Sequence, residues 1–145
     1  MTLANAGSKP VIIDTNIFFS ALLGRTTRYA DAIQAGIAPF FICEFVVVEL
    51  FKHKERIAKQ SKLTDDELVL AYYTLLRKVT IYKEDLISLV NRQAAFTLCQ
   101  AVDPADTPHV ALTLELDGLL WTGDKKLKTG LEAKGFMHFF TPVVN

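Results

Sequence analysis

The chain has 145 residues, 16 basic and 16 acidic side chains and a formal net charge of zero, and half of its residues are hydrophobic. This length fits one domain with a core large enough to fold without disulfides or structural metals. We therefore expect a single domain over residues 1–145, with about the first eight residues loose. The balanced charge excludes a bulk positive field, so any binding of nucleic acid must depend on a local patch.

The cysteines and the apolar segments bear on the compartment. Cys43 and Cys99 lack a metal-ligand spacing and lie in apolar stretches, which is typical of buried free thiols in a reducing compartment. The N-terminal residues contain no apolar segment of signal-peptide length, and the longest apolar stretch, residues 39–51, is interrupted by Glu44 and Glu49. We expect a cytoplasmic protein with no membrane-spanning segment.

Strand-like and helix-like patterns alternate along the chain. The predicted strands are residues 11–14, 39–43, 79–83, 118–122 and 138–141. The predicted helices are residues 17–23, 28–35, 45–60, 64–77, 86–100, 108–116 and 125–134. Thr64 and Glu67 form a capping box at the start of one helix. This alternation predicts an α/β fold in which helices cover both faces of a parallel sheet.

Two predicted strands end on acidic residues. The stretch "VIIDTN" places Asp14 directly after an apolar run, and "LLWTGD" places Asp124 after another. In an open parallel sheet, ligands bind outside the carboxyl ends of the strands, near the point where the strand order reverses. We therefore expect both carboxylates at the same edge of the sheet.

Further acids lie just before one predicted helix and on another. The stretch "AVDPADTP" places Asp103 and Asp106 before a helix that has Pro108 in its first turn. The predicted helix 45–60 has Glu49 at the margin of an apolar stripe that consists of Val46, Val47, Leu50, Phe51 and Ile57. His53 and Arg56 follow Glu49 along the same helix edge, so this edge could face a pocket.

Each acid also has a purely structural interpretation. Asp14, Asp106 and Asp124 could cap helices, and Glu49 alone is typical of a solvated helix residue. Together, however, the acids suggest a metal site. Two like charges about 4 Å apart repel by about 4 kcal/mol at an effective dielectric of ~20. A hard divalent cation would offset this repulsion. Mg²⁺ or Mn²⁺ prefers carboxylate and water oxygens and can activate water against a phosphodiester.

The stretches "VIIDTN", "DPADTPHVALTLE" and "LLWTGDKKL", together with the helical Glu49, resemble the PIN-domain nucleases, including the toxin components of the VapBC type. The resemblance covers nearly the whole chain. It implies a three-layer α/β/α sandwich with a central parallel sheet, and a Mg²⁺- or Mn²⁺-dependent ribonuclease site. By position, the four acids of the family correspond to Asp14, Glu49, Asp106 and Asp124. Asp103 is either an additional metal ligand or an acid that supports the ligands, and the supporting polar positions are Thr15, Asn16 and Thr122.

The reaction implied by the resemblance is hydrolysis of an RNA phosphodiester. Asp14, Asp106 and Asp124 would hold the cation directly or through water, and Glu49 would bind a metal-bound water or help to orient the attacking one. Arg56, His53 and Lys125 are candidates for phosphate contacts, although a solvated position is the commoner arrangement for each. His109 is expected on the surface of its helix rather than as a general acid. The histidines lack a zinc pattern, so we expect no zinc.

The apolar composition also predicts partners. A homodimer would bury part of the apolar surface, and for a toxin we expect an antitoxin segment that inserts a basic side chain among the acids. One alternative is a catalytically silent PIN-like module that binds RNA or protein. Another is a phosphatase-type or receiver-type α/β domain. The phosphatase type requires an acid where this chain has Asn16, and the receiver type requires an acid on a middle strand, where "VTIYK" has none.

Overall fold

The computed structural model of the protein describes residues 8–24 and 27–142. The expectation that about the first eight residues are loose concerns a segment that lies outside the described residues except for Ser8. Among the described residues, no helix has both the length and the apolar character needed to cross a bilayer.

The centre of the fold is a parallel sheet. Its strands are β1 (Val11–Ile13), β2 (Phe40–Cys43), β3 (Val79–Tyr82) and β4 (Leu119–Trp121). The strand order is β3-β2-β1-β4, and all neighbours run parallel. Val11 of β1 lies opposite Phe40 on one side and Leu119 on the other. The chain therefore builds the sheet outward from β1 to β3 and then returns to the other side of β1, so the strand order reverses between β1 and β4.

Eight helices lie within the described residues. They are α1 (Thr15–Leu23), α2 (Thr27–Ala35), α3 (Glu44–Lys52), α4 (Lys54–Ser61), α5 (Asp65–Leu76), α6 (Leu89–Cys99), α7 (Thr107–Glu115) and α8 (Lys125–Ala133). Helices α1, α2, α4 and α5 form one packed group, whereas α6 packs on α7, and α7 contacts β1, β2 and β4. The predicted three-layer α/β/α sandwich with a central parallel sheet is confirmed.

The core explains why these apolar runs became strands. All three residues of β1 are buried, as expected for a central strand that is covered on both faces.

Cys43 and Cys99 are buried free thiols, as predicted. The capping box of α5 is also confirmed, because Thr64 accepts a hydrogen bond from the Glu67 N–H and the Glu67 carboxylate accepts one from the Thr64 N–H.

Three predicted elements differ from the structure. Residues 138–141 do not form a fifth strand, because Phe139 makes only an isolated parallel bridge to Leu120. The predicted helix 86–100 begins only at Leu89, because Glu84–Leu86 forms a 3₁₀ turn and the Ser88 hydroxyl then caps α6.

The third difference is that the predicted helix 45–60 is two helices that meet at His53. The backbone of His53 has φ −109° and ψ 16°, outside helical values. Ile57 reaches the core beyond this break, whereas Phe51 remains 70% exposed. An apolar stripe drawn through a continuous helix was therefore wrong for Phe51.

Candidate metal centre

Acidic side chains from separate elements meet at the carboxyl ends of β1 and β4. They line one cavity of about 350 Å³, hereafter the acid cavity. Its acidic residues are Asp14, Glu49, Asp103, Asp106 and Asp124. The point where the strand order reverses is thus also the place where the carboxylates collect, as expected for ligand sites in open parallel sheets.

Asp14 follows β1 directly and is only 3% exposed. One of its oxygens, Oδ1, accepts a hydrogen bond of 2.8 Å from the Ile17 N–H, so this residue does cap α1. Burial raises the pKa of Asp14, and the charge of Asp124 adds to this effect, whereas a hydrogen bond with the Thr122 side chain opposes it. Asp14 is therefore held in one position while it remains close to another acid.

Asp124 follows β4 and caps α8. Its Oδ1 atom accepts hydrogen bonds from the Lys126 N–H at 3.0 Å and the Leu127 N–H at 3.1 Å. The Asp124 N–H donates to the Thr122 hydroxyl oxygen at 3.1 Å. Because Thr122 also hydrogen-bonds with the Asp14 side chain, it links the loops that carry the two acids. This geometry gives a physical basis for the supporting position predicted for Thr122.

Asp103 directly precedes the short 3₁₀ segment Pro104–Asp106 before α7, and Asp106 is its last residue. One carboxylate oxygen from each of Asp103, Asp106 and Asp124 lies within 4.8 Å of the others. Asp103 accepts a hydrogen bond from the Ala105 N–H at 3.0 Å. Asp106 occupies the N-cap position of α7 but makes no side-chain capping bond. The capping interpretation of Asp106 is therefore wrong.

The electrostatics of Asp106 show how crowded the cavity is. Burial and then the charge of Asp103 raise the pKa of Asp106 to about 7, with further contributions from Asp14, a hydrogen bond with Asp103, and Asp124. Without a cation, the protein therefore holds a proton on Asp106 up to near-neutral pH. A cation among these oxygens would take the place of that proton.

Glu49 lines the acid cavity from α3, but its carboxylate has other close neighbours. Oε2 lies 3.2 Å from His53 Nε2, and Oε1 lies 3.8 Å from the Lys52 ammonium. Glu49 is outside the group of three acids whose oxygens lie within 4.8 Å of one another. The structure thus places Glu49 at the cavity with its carboxylate beside two basic groups.

His109 is the site residue that the sequence analysis placed wrongly. It is not on the helix surface but 1% exposed, and it lines the acid cavity beside Phe45 at a ring-centroid distance of 5.0 Å. Nε2 lies 3.2 Å from the Thr15 hydroxyl oxygen. Burial lowers the pKa of His109 to about 4, so the ring is neutral at neutral pH. Its position three residues after Asp106 places both on one helix face, and this spacing was the available signal.

The remaining predicted residues divide into two groups. Thr15 and Asn16 line the acid cavity together with the acids. Among the candidates for phosphate contacts, Lys125 lines a neighbouring cleft, and His53 pairs with Glu49. Arg56 is exposed on α4 and is not among the described residues that line either cavity.

The donor set fits a hard divalent cation. The three closest side chains, Asp103, Asp106 and Asp124, offer only carboxylate oxygens, which Mg²⁺ and Mn²⁺ prefer. Oxygens on opposite sides of one Mg²⁺ lie about 4 Å apart, close to the observed spread of at most 4.8 Å. The three acids could therefore bind one metal ion.

Comparison with known families agrees with the fold and the acid cavity. The sequence matches the PIN domain family over residues 12–138, which is most of the chain. The chain belongs to the PIN domain family. Members of this family are generally nucleases and typically use divalent metals, and the alternative functions drawn from the sequence are not favoured. A comparison with curated proteins found no match.

Proposed function

We propose that this protein is a Mg²⁺- or Mn²⁺-dependent endoribonuclease that hydrolyses RNA phosphodiester bonds. The observation that carries the proposal is the convergence of five acidic side chains, from four segments of the chain, on one cavity. A catalytically silent module would have no need to hold these acids together, since burial and then the charge of Asp103 raise the pKa of Asp106 and make the charged cavity unfavourable without a cation.

The proposed ligands are Asp103, Asp106 and Asp124, with Asp14 holding the cation directly or through water. A bound cation of this kind neutralises charge on the phosphodiester and supplies an activated water as the nucleophile. Asp14 and Asp124 are held by backbone N–H groups, so they position the reacting phosphate with little rearrangement. Glu49 accepts a hydrogen bond from the attacking water and orients it.

The test is cleavage of a single-stranded RNA by the purified protein with Mg²⁺, Mn²⁺ or EDTA. We expect cleavage with either metal and none with EDTA. Asp14→Asn and Asp106→Asn should each lower the rate about a hundredfold or more, and Glu49→Gln should cost less because Glu49 lies outside the group of close oxygens. Asp66→Asn, an exposed acid in the first turn of α5, is the matched control and should cleave like the parent. Parent-like cleavage by Asp14→Asn and Asp106→Asn would refute the site.

We also propose a homodimer, supported by an apolar surface between α3 and α5. A cleft of about 350 Å³ there is lined by Leu50, Phe51, Val69 and Leu76 among others. Phe51 is 70% exposed and Val69 65% exposed, which is unusual for side chains of this size in a monomer. Light scattering should give twice the chain mass at micromolar concentration, and a monomer there would remove this proposal.

The cytoplasmic location, the toxin role and the antitoxin partner stay predictions. For a toxin, we expect a small open reading frame for the partner to overlap or precede that of this chain. The partner would place a basic side chain among the acids, where it would offset the same repulsion that a metal ion offsets.

A further inference from the structure

A second cleft lies beside the acid cavity, and Asp124 lines both. It has a volume of about 310 Å³, at the lower end of the usual range for ligand pockets. We call it the basic cleft, since its walls combine basic and aromatic side chains: Arg28, Lys125, Lys128, Tyr29 and Phe139. The acid cavity alone does not explain this composition.

The basic and aromatic groups of the basic cleft lie next to each other. The Lys128 ammonium is 5.5 Å from the ring centre of Phe139, and the Arg28 guanidinium is 5.7 Å from that of Tyr29. Tyr29, Lys128 and Phe139 are all partly exposed. The cleft therefore offers positive charge and aromatic surface together, and these are the two features with which proteins hold single-stranded nucleic acid.

The basic cleft and the acid cavity are parts of one groove. A third recess shares Asn16 with the acid cavity and Tyr29 with the basic cleft, and Asp124 lines all three. A single extended strand can thus contact the acids and the basic groups at the same time.

The separation of charge along this groove explains how a chain without net positive charge could attract RNA. The chain has no net charge, and its acid cavity repels a polyanion in the absence of a cation. An RNA strand that enters the cavity therefore needs attraction from nearby. Among the described residues that line the basic cleft, Lys125 and Lys128 supply this attraction beside Asp124, the acid that the cleft shares with the cavity.

We propose that the basic cleft binds the nucleotide next to the scissile phosphate of a single-stranded RNA, with its phosphate at Lys128 and Lys125 and its base against Tyr29. This inference rests on the proposed ribonuclease function and deepens it. A base can reach an aromatic side chain only when it is unpaired, so the preferred substrate is a single strand or a loop rather than a duplex.

The test is RNA binding without cleavage. A fluorescently labelled single-stranded RNA of about ten nucleotides is titrated with the full chain in EDTA at about 50 mM salt, and binding is followed by anisotropy. Lys128→Gln should raise the Kd about fivefold and reduce the slope of log K against log salt by about 0.7. Tyr29→Leu should raise the Kd about fivefold or more through lost stacking. Lys128→Arg, which keeps the charge, should bind like the parent.

Lys78→Gln is the matched control, because exposed Lys78 precedes β3 at the edge of the sheet opposite β4. It should bind like the parent, and unchanged melting temperatures would show that all variants are folded. The proposal is overturned if Lys128→Gln and Tyr29→Leu bind as the parent does, or if the parent binds no RNA under these conditions. A parent that binds RNA through the cleft but cleaves none would instead refute the ribonuclease proposal alone. A parent that cleaves RNA while the cleft variants bind normally would refute only the cleft.

Discussion

Replacing Asp106 by asparagine should stabilise the metal-free protein at neutral pH. The structure gives the reason: burial and then the charge of Asp103 raise the pKa of Asp106 from its ordinary 3.8 to about 7. The folded state therefore binds a proton more tightly than the unfolded state, and stability falls as pH rises from about 4 to about 7. The asparagine side chain carries no charge, and the substitution removes no capping bond, because Asp106 makes none.

The size of the effect follows from the same shift. At about 1.36 kcal/mol per pKa unit, the full shift corresponds to about 4 kcal/mol above neutral pH. Asp106 is only partly buried, so solvent screening reduces this to about 1–2 kcal/mol. For a domain of this size, that corresponds to a melting temperature about 3–6 °C higher for Asp106→Asn than for the parent. The difference should disappear near pH 4.

Paired melting curves in EDTA and in Mn²⁺ provide the assay. Added Mn²⁺ should raise the melting temperature of the parent more than that of Asp106→Asn, because binding to the folded state contributes RT ln(1 + [L]/Kd). Asp66→Asn controls for loss of a charge: it removes an acid from the first turn of α5 and should lower stability by about 0.3–1 kcal/mol. The reasoning fails if Asp106→Asn melts below the parent in EDTA at neutral pH and the parent does not respond to Mn²⁺.

Two further predictions concern titration. The Mn²⁺ affinity of the parent should rise between about pH 6 and pH 8, because Asp106 must lose its proton to bind the metal. The Mn²⁺ affinity of Asp106→Asn should change little over the same range. Calorimetry in two buffers would count the proton that the parent releases. His109 has a folded pKa of about 4, below its ordinary 6.5, so the folded state resists protonation. Relative to His109→Leu, the parent should therefore lose about 3 kcal/mol as pH falls from about 6.5 to 4, and chemical denaturation across this range measures the loss. A parent and a His109→Leu protein with parallel pH profiles would contradict the burial argument.

Much of the fold could be predicted because local chemistry and tertiary context agree. The apolar runs of β1 and β4 are followed by acids that also start helices. The same acid therefore indicates in the sequence both where the strand ends and where the helix begins. The segment 138–141 also looked like a strand, but only Phe139 pairs with the sheet. The next residue, Phe140, packs its ring against Phe40 and Trp121, at ring-centroid distances of 6.1 Å and 5.2 Å. Composition cannot distinguish aromatic packing of this kind from strand pairing.

The sequence indicated which acids line the acid cavity, but not the distances between them. The order of the acids in the sequence favoured Asp106 over Asp103 as a ligand, but in the structure one oxygen from each of Asp103, Asp106 and Asp124 lies within 4.8 Å of the others. The surroundings of the Glu49 carboxylate could not be predicted from the sequence, because its contact with His53 depends on where the helix breaks. His109 was misplaced because the sequence does not show that the face of α7 carrying it is covered by Phe45.

The capping and the metal-binding interpretations of the acids turn out not to compete. Asp14 and Asp124 each use one oxygen, Oδ1, to accept backbone N–H groups at a helix start. A carboxylate has a second oxygen, so the same side chain can begin a helix and still bind a ligand. In Asp14 the bond from the Ile17 N–H lowers the pKa and so opposes the larger effect of burial, which raises it. Asp106 lacks such a bond and has a pKa of about 7. Of these three acids, Asp106 is the one with no capping bond to lose, so its substitution distinguishes a metal centre from a set of helix caps.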